Sequence, residues 1–220
     1  MRFAVLAADT ALFTLRGNEL LIRLIRVNRP PHFRNIPGLP GGLLHPEETA
    51  EKAAIRHLTE KTKIGKEKIY LEQLYTFSRI DRDPRGRVVA VAYLGLIPWD
   101  QLSAKEREGT NESWWANMND LPRLAYDHDE IIRVALDRIR SRVTYTTLMA
   151  KLMPSKFTLT ELETAYETAV GKGIDKRNFR KKVQRLKLVR SLNQKRVGEK
   201  HRPAMLYGFR SLKVRELEIL

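Results

Sequence analysis

The chain has 220 residues, 42% of them apolar, which is enough for two ordinary domains with cores of their own. It has no cysteine, which excludes disulfides, zinc–cysteine sites and thiol catalysis. It also lacks an apolar run of about 18 residues, so no helical membrane span is expected. The net charge of +15 is unevenly placed: residues 141–220 hold 19 Lys and Arg against 7 Asp and Glu, while the first 140 hold 22 against 19. That asymmetry favours a polyanionic partner for the C-terminal part, nucleic acid before an anionic membrane surface.

The opening Met1-Arg2-Phe3-Ala4-Val5-Leu6 is broken by Asp9 and does not read as a signal peptide. A cytoplasmic location is the expectation. Residues 3 to 26 read as strands around the turn Arg16-Gly17-Asn18-Glu19, where Gly-Asn supplies the positive φ angles of a hairpin. Residues 28 to 41, with Pro30, Pro31, Pro37 and Pro40, predict an extended loop. A helix follows over 49–62, capped by Thr49, with Ala50, Ala54 and Leu58 at helical spacing. Ile69–Arg79 and Val88–Ile97 predict strands, joined by Asp81-Arg82-Asp83-Pro84-Arg85-Gly86-Arg87, and Ser113–Met118 adds a short one. Asp127 is expected to cap a helix reaching about Val143. Strands around one helix, closed by a second, suit an α/β sandwich over residues 1–143.

From residue 144 the pattern changes. Tyr145–Leu152 predicts a helix ended by Pro154. Thr158 or Thr160 caps a helix carrying Leu162, Ala165, Tyr166 and Val170, which Gly171 and Gly173 end. Asp175 caps another over 176–187, and a hairpin-like stretch occupies 188–209, its tip running from Gln194 to His201. Helix, helix, helix, hairpin is the order of a winged helix-turn-helix, here over 144–220.

In the helix after Asp175, Phe179, Val183 and Leu186 form the apolar face. Arg177, Lys181 and Gln184 point the other way, with Arg180 and Arg185 to either side. Arg and Lys suit guanine edges, Gln suits adenine, and flanking Arg suits phosphates. Arg177 and Lys181 are the best base readers, and Lys176 joins the same basic face. Near the hairpin tip, Lys195, Arg196, Lys200, His201 and Arg202 suit phosphate or a minor groove. Taken singly, each of these residues also reads as a solvated surface charge.

Residues 42–64 carry a second motif. Gly42, Glu48, Arg56, Leu58, Glu60 and Ile64 fall at the spacing of the Nudix box, and Leu39-Pro40-Gly41-Gly42 is its usual opening. The segment resembles that family, whose box holds a divalent metal on the diphosphate of a nucleotide substrate. The resemblance implies a Nudix-like α/β/α sandwich. Its three metal-ligand positions correspond to His57, Glu60 and Lys61, of which only Glu60 is a carboxylate. Mg²⁺ prefers carboxylate oxygens. A lysine at about 4 Å would repel a divalent ion by roughly 8 kcal/mol at an effective dielectric of about 20. The motif therefore predicts no metal, no catalytic residue and no cofactor. A second reading has Lys61 and Lys63 bind an anionic diphosphate directly, without metal; Arg56 with Glu60 also reads as a helix-surface ion pair.

A Nudix-like domain followed by a winged helix is similar to the Nudix-related transcriptional regulators of NAD metabolism, the NrtR type. The similarity rests on Asp83-Pro84-Arg85-Gly86-Arg87, Leu124-Ala125-Tyr126-Asp127-His128, Phe157-Thr158-Leu159-Thr160-Glu161-Leu162, Asp175-Lys176-Arg177-Asn178-Phe179-Arg180 and Arg202-Pro203-Ala204 with Tyr207. It implies a dimeric bacterial repressor on a palindromic operator in double-stranded DNA, released by ADP-ribose or a related nucleotide. The effector residues expected are Arg56, Glu60, Lys61, Arg82, Arg85 and Arg87, the arginines because their forks match phosphate oxygens. Tyr75 and Phe77 read as core before adenine stackers, and His128 has no assigned role. The rivals are an active Nudix hydrolase with a nucleic-acid-binding tail, a sugar-responsive regulator of similar build, and a sequence-indifferent nucleic-acid binder.

Overall fold

The computed structural model describes residues 3–196, 203–217, 219 and 220. The chain divides into two compact units. The first holds the start of the chain to Thr14, Leu21–Ile97 and Leu102–Asp137; the second holds Leu15–Leu20, Pro98–Gln101 and Arg138–Leu220.

The first unit is built on two long strands, β1 (Val5–Arg16) and β2 (Glu19–Arg29), turned by Gly17 at φ 63°. The remaining strands are β3 (Phe33–Gly38), β4 (Gly41–Leu43), β5 (Tyr70–Phe77), β6 (Val88–Leu96) and β7 (Ser113–Asn117). The order is β3-β2-β1-β6-β5, with β4 on β1 and β7 on β2. Strands β1 and β6 run parallel, from Val5 opposite Val88 to Phe13 opposite Leu96. These strands are buried on both faces: Leu12, Phe13, Ile22, Leu24, Leu94 and Leu96 have no exposed surface. Each such side chain contributes about 1.5–3 kcal/mol by leaving water.

Where an extended loop was expected over 28–41, two strands form. β3 lies at the sheet edge, where Pro37 lacks only an amide that would face outward. Its carbonyl still works, accepting from the Ala125 amide at 2.8 Å. A short helix also escaped the pattern: α2 (Ala104–Glu108) is held by a reciprocal capping box between Ser103 and Glu106.

Helix α1 (Ala50–Thr62) starts as expected, with Thr49 Oγ1 accepting from the Lys52 amide at 3.2 Å. Ala53 and Ala54, both fully buried, bring it close to Ala8 and Tyr93. It ends at Lys63, whose φ of 60° is left-handed and whose amide donates to Thr59 O. Glycine is the usual residue there, and a lysine costs about 1 kcal/mol by comparison. Helix α3 (His128–Tyr145) follows β7. Asp127 was expected to cap it, but its carboxylate is taken by Arg82 instead, as detailed below.

In the second unit the expected α-helix over Tyr145–Leu152 is a 3-10 turn, Thr147–Lys151, because α3 runs on to Tyr145 and Thr146 then recaps the chain. Helix α4 (Leu159–Val170) begins in a full capping box between Thr158 and Glu161 and ends at Gly171, φ 78°. Helix α5 (Lys176–Arg185) is capped by Asp175, which accepts from the Asn178 amide at 3.0 Å. Phe179 and Val183 are buried, and the Phe179 ring packs 4.8 Å from that of Tyr166 on α4. Strands β8 (Val189–Arg196) and β9 (Ala204–Phe209) pair antiparallel. The same unit takes in the β1–β2 turn and residues 98–101. Asp100 accepts from both the amide and the hydroxyl of Ser155 at 2.8 Å, Thr168 donates to Asn18 O at 3.2 Å, and Arg16 lies 5.7 Å over the Trp99 ring.

Candidate functional site

A cavity of about 640 Å³ opens in the first unit. β1 contributes Asp9, β2 contributes Arg29, and the end of α1 contributes Glu60, Lys61 and Lys63. The 82–85 turn adds Arg82, Asp83 and Arg85, and Tyr126 and His128 close one side. Gly41 and Gly42 at the start of β4 line it as well. A Cβ on Gly41 would stand 2.0 Å from Asp9 Oδ1, and one on Gly42 would stand 2.6 Å from the His57 ring. Both glycines are therefore required by close approach.

Of the six effector residues expected, Glu60, Lys61, Arg82 and Arg85 line this cavity. Arg56 and Arg87 are not among its lining residues. Arg56 is clamped on Glu48: Nε donates to Oε2 at 3.1 Å and Nη2 donates to Oε1. Nη2 also reaches Leu43 O at 3.3 Å, and Nη1 lies 3.7 Å from Glu60. Those hydrogen bonds from Arg56, with one from the His45 amide, hold the Glu48 carboxyl down at about 2. Arg87 Nη1 donates to Ser78 O at 2.8 Å and Arg79 O at 3.1 Å, tying together the loop that precedes it.

Arg82 lines the cavity but is only 4% exposed. Its Nε and Nη2 bond both Asp127 oxygens, at 2.9 and 2.7 Å, and Nη2 lies 3.4 Å from Asp9. It is a cross-brace between β1 and the start of α3. Arg85 is paired in the same forked way with Asp83, at 3.0 and 2.7 Å, and lies 5.4 Å over the Tyr126 ring. His128 is buried, and its Nδ1 accepts from the Leu39 amide at 2.9 Å. Burial pushes its pKa down, so the ring is neutral with its proton on Nε2, facing Asp9.

The metal-ligand positions do not suit a divalent ion. His57 donates from Nε2 to Leu43 O at 2.9 Å, and burial pushes its pKa down. The Lys61 ammonium donates to Gly41 O. Burial lowers the Lys61 pKa; Asp9 opposes that shift and Arg29 adds to it. Among the described residues, no group of three or more His, Asp or Glu could hold a metal ion.

Asp9, Arg29, Tyr126 and His128 were not expected in the site. Asp9 left one trace: a carboxylate within the apolar run Ala7-Ala8-Asp9-Thr10-Ala11. Tyr126 and His128 lie in the Leu124-Ala125-Tyr126-Asp127-His128 run, which was singled out without a role for either; Arg29 left no trace, because the fold alone brings the end of β2 to the cavity. Phe77 is buried, Tyr75 is exposed, and neither lines the cavity.

On α5, Arg177, Lys181, Gln184 and Arg185 are exposed, and none of the cations among them has an ion-pair partner among the described residues. Arg180 differs: it is paired with Glu163 of α4, a carboxylate only 1% exposed. Lys176 lies 3.9 Å from Glu167. On the hairpin, Lys195 is exposed and Arg196 bonds Glu161. Lys200, His201 and Arg202 lie outside the described residues.

Residues 6–135 match the model of the NUDIX domain, and residues 149–209 match that of the NrtR DNA-binding winged helix domain. The chain is 32% identical over 207 residues to the ADPR responsive transcriptional repressor NtrR of Acinetobacter baylyi, covering 93% of this chain and 82% of that one. The crystal structure of Shewanella oneidensis NrtR complexed with a 27mer DNA is 31% identical, with a TM-score of 0.81 and 93% of each chain covered. The NUDIX domain of the same Shewanella protein, complexed with ADP ribose, is 30% identical, with a TM-score of 0.51 over 63% of this chain and 90% of that one.

Proposed function

This chain belongs to the NrtR-type, Nudix-related transcriptional regulators, and we propose that it is an ADP-ribose-responsive repressor without hydrolase activity. Residues 1–143 sense the nucleotide and residues 144–220 read DNA. The observation that carries the reading is the Lys61 ammonium, bonded to Gly41 O at a position where the Nudix family uses a carboxylate to hold metal. A pocket that binds a nucleotide without cleaving it leaves the ligand intact as a signal. For that ligand to release DNA, it must bind the free arrangement more tightly than the DNA-bound one.

The reader is α5 with the β8–β9 hairpin. Its exposed Arg177, Lys181 and Gln184 meet base edges, and Arg185, Lys195 and the neighbouring cations meet phosphates. Two copies related by a two-fold axis place two such helices on a palindromic operator about one DNA turn apart. Among the described residues no helix is long and apolar enough to cross a membrane, in keeping with a cytoplasmic regulator.

The test is fluorescence anisotropy of labelled DNA from upstream of the host's NAD-biosynthesis genes, with and without ADP-ribose. Tight binding that ADP-ribose reverses is expected. Affinity equal to that for random DNA would overturn the NAD assignment. ADP-ribose consumed in the presence of Mg²⁺ or Mn²⁺ would overturn the non-enzymatic part.

A further inference from the structure

We propose that Arg29, Lys61 and Lys63 take the place of the divalent metal, so that the pocket binds the diphosphate of a nucleotide effector directly. The inference rests on the effector reading above and deepens it. Each carboxylate that lines the cavity already faces a guanidinium. Asp83 is forked by Arg85, and Asp9 lies 3.4 Å from Arg82. Glu60 lies 3.7 Å from Arg56, and Glu112 lies 3.9 Å from Arg26. The charge left over is cationic.

Among the described residues Arg29, Lys61 and Lys63 have no ion-pair partner, yet all three line the cavity. Arg29 uses Nη1 on Asn28 O at 3.0 Å, and Lys61 uses one donor on Gly41 O. The remaining donors of both are available to an anion. Burial is the main cause of the lowered Lys61 pKa, and Arg29 adds to it against a larger opposing pull from Asp9; a bound anion favours the charged form of Lys61. A diphosphate diester, with one charge on each phosphate, matches such a cluster, because fixed cations bind phosphate oxygens by charge and by fork.

Lys63 supplies an independent sign. Its φ of 60° is left-handed, a conformation that suits glycine and disfavours a lysine, and the residue lines the cavity. Lys63→Gly therefore touches two roles, which stability and ligand affinity read out separately. It removes the charge and relaxes the backbone at once.

The experiment is calorimetric titration of the full chain with ADP-ribose, in excess EDTA and again in excess Mg²⁺. The dissociation constant is expected to agree within about twofold between the two buffers. Lys63→Gly should raise the melting temperature while weakening ADP-ribose in EDTA by about tenfold. Lys61→Glu should abolish tight binding in EDTA and recover part of it when Mg²⁺ is added. Binding by the unaltered chain that weakens about tenfold or more in EDTA would overturn the proposal and leave the effector reading standing. Lys63→Gly binding as tightly as the unaltered chain would also overturn it. Failure to bind ADP-ribose in either buffer would sink both the effector reading and the proposal.

Discussion

Helices α1 and α5 both carry dense charge, and they dispose of it in opposite ways. On α1 the residues of the family motif are engaged within the protein: Arg56 with Glu48 and Glu60, His57 with Leu43 O, Lys61 with Gly41 O. On α5, Arg177, Lys181 and Arg185 stand in solvent without an ion-pair partner among the described residues. A motif therefore reports where a fold places side chains. Whether those side chains can act on a ligand depends on how many of their donors remain uncommitted.

In the unit that carries α1, the most severe break is Arg82→Ala. It strands Asp9 and Asp127, 6% and 2% exposed, without their cation. A loss of about 3–5 kcal/mol in urea unfolding is expected. A loss below about 1 kcal/mol would mean that the cross-brace carries little of the stability. On the uncommitted half, Arg177→Ala should cost about 1–3 kcal/mol of operator binding and flatten discrimination between operator and random DNA. Equal losses on both DNAs would assign Arg177 to phosphate instead.

Glu163→Gln sharpens the contrast from within α5 itself. It frees Arg180, the one arginine of that helix bound to a buried carboxylate. Arg180 is half exposed, so a stability loss of only about 1 kcal/mol is expected. Operator binding should change less than with Arg177→Ala; a larger change would show that the pair positions the reading helix. The smallest effect is in pH. Burial holds the His128 pKa below its ordinary 6.5, so the unfolded chain takes up a proton that the folded chain refuses. Stability should decline as pH falls below about 6.5. Glu48 acts with the same sign at lower pH, since its folded value of about 2 lies under the ordinary 4.5. Thermal melts from pH 8 to 3 should fall in that order, and a rise on acidification would contradict both assignments.

Much of this was legible from residue order alone. Thr49, Thr158 and Asp175 cap their helices as local chemistry dictates, because a cap depends on neighbours three residues away. The Nudix spacing and the basic face of α5 were equally local. What escaped was long-range. Prolines at 30, 31, 37 and 40 argued for a loop, and only sheet order shows β3 to be an edge where proline is tolerated. Arg82 read as a phosphate ligand because nothing near it in the chain announces Asp127, which sits 45 positions away. Asp9 and His128 meet in the cavity from opposite ends of the first unit, a pairing that periodicity cannot express.

The composition of the second unit limits how freely nature or an engineer can shuffle the reader. Because it includes Leu15–Leu20 and Pro98–Gln101, no single peptide bond separates it from the rest of the chain. A fragment beginning at residue 144 would leave Ser155 without Asp100 and Thr168 without Asn18. The reader is thus not a portable cassette: grafting it onto another sensor requires a host that presents an equivalent turn and carboxylate.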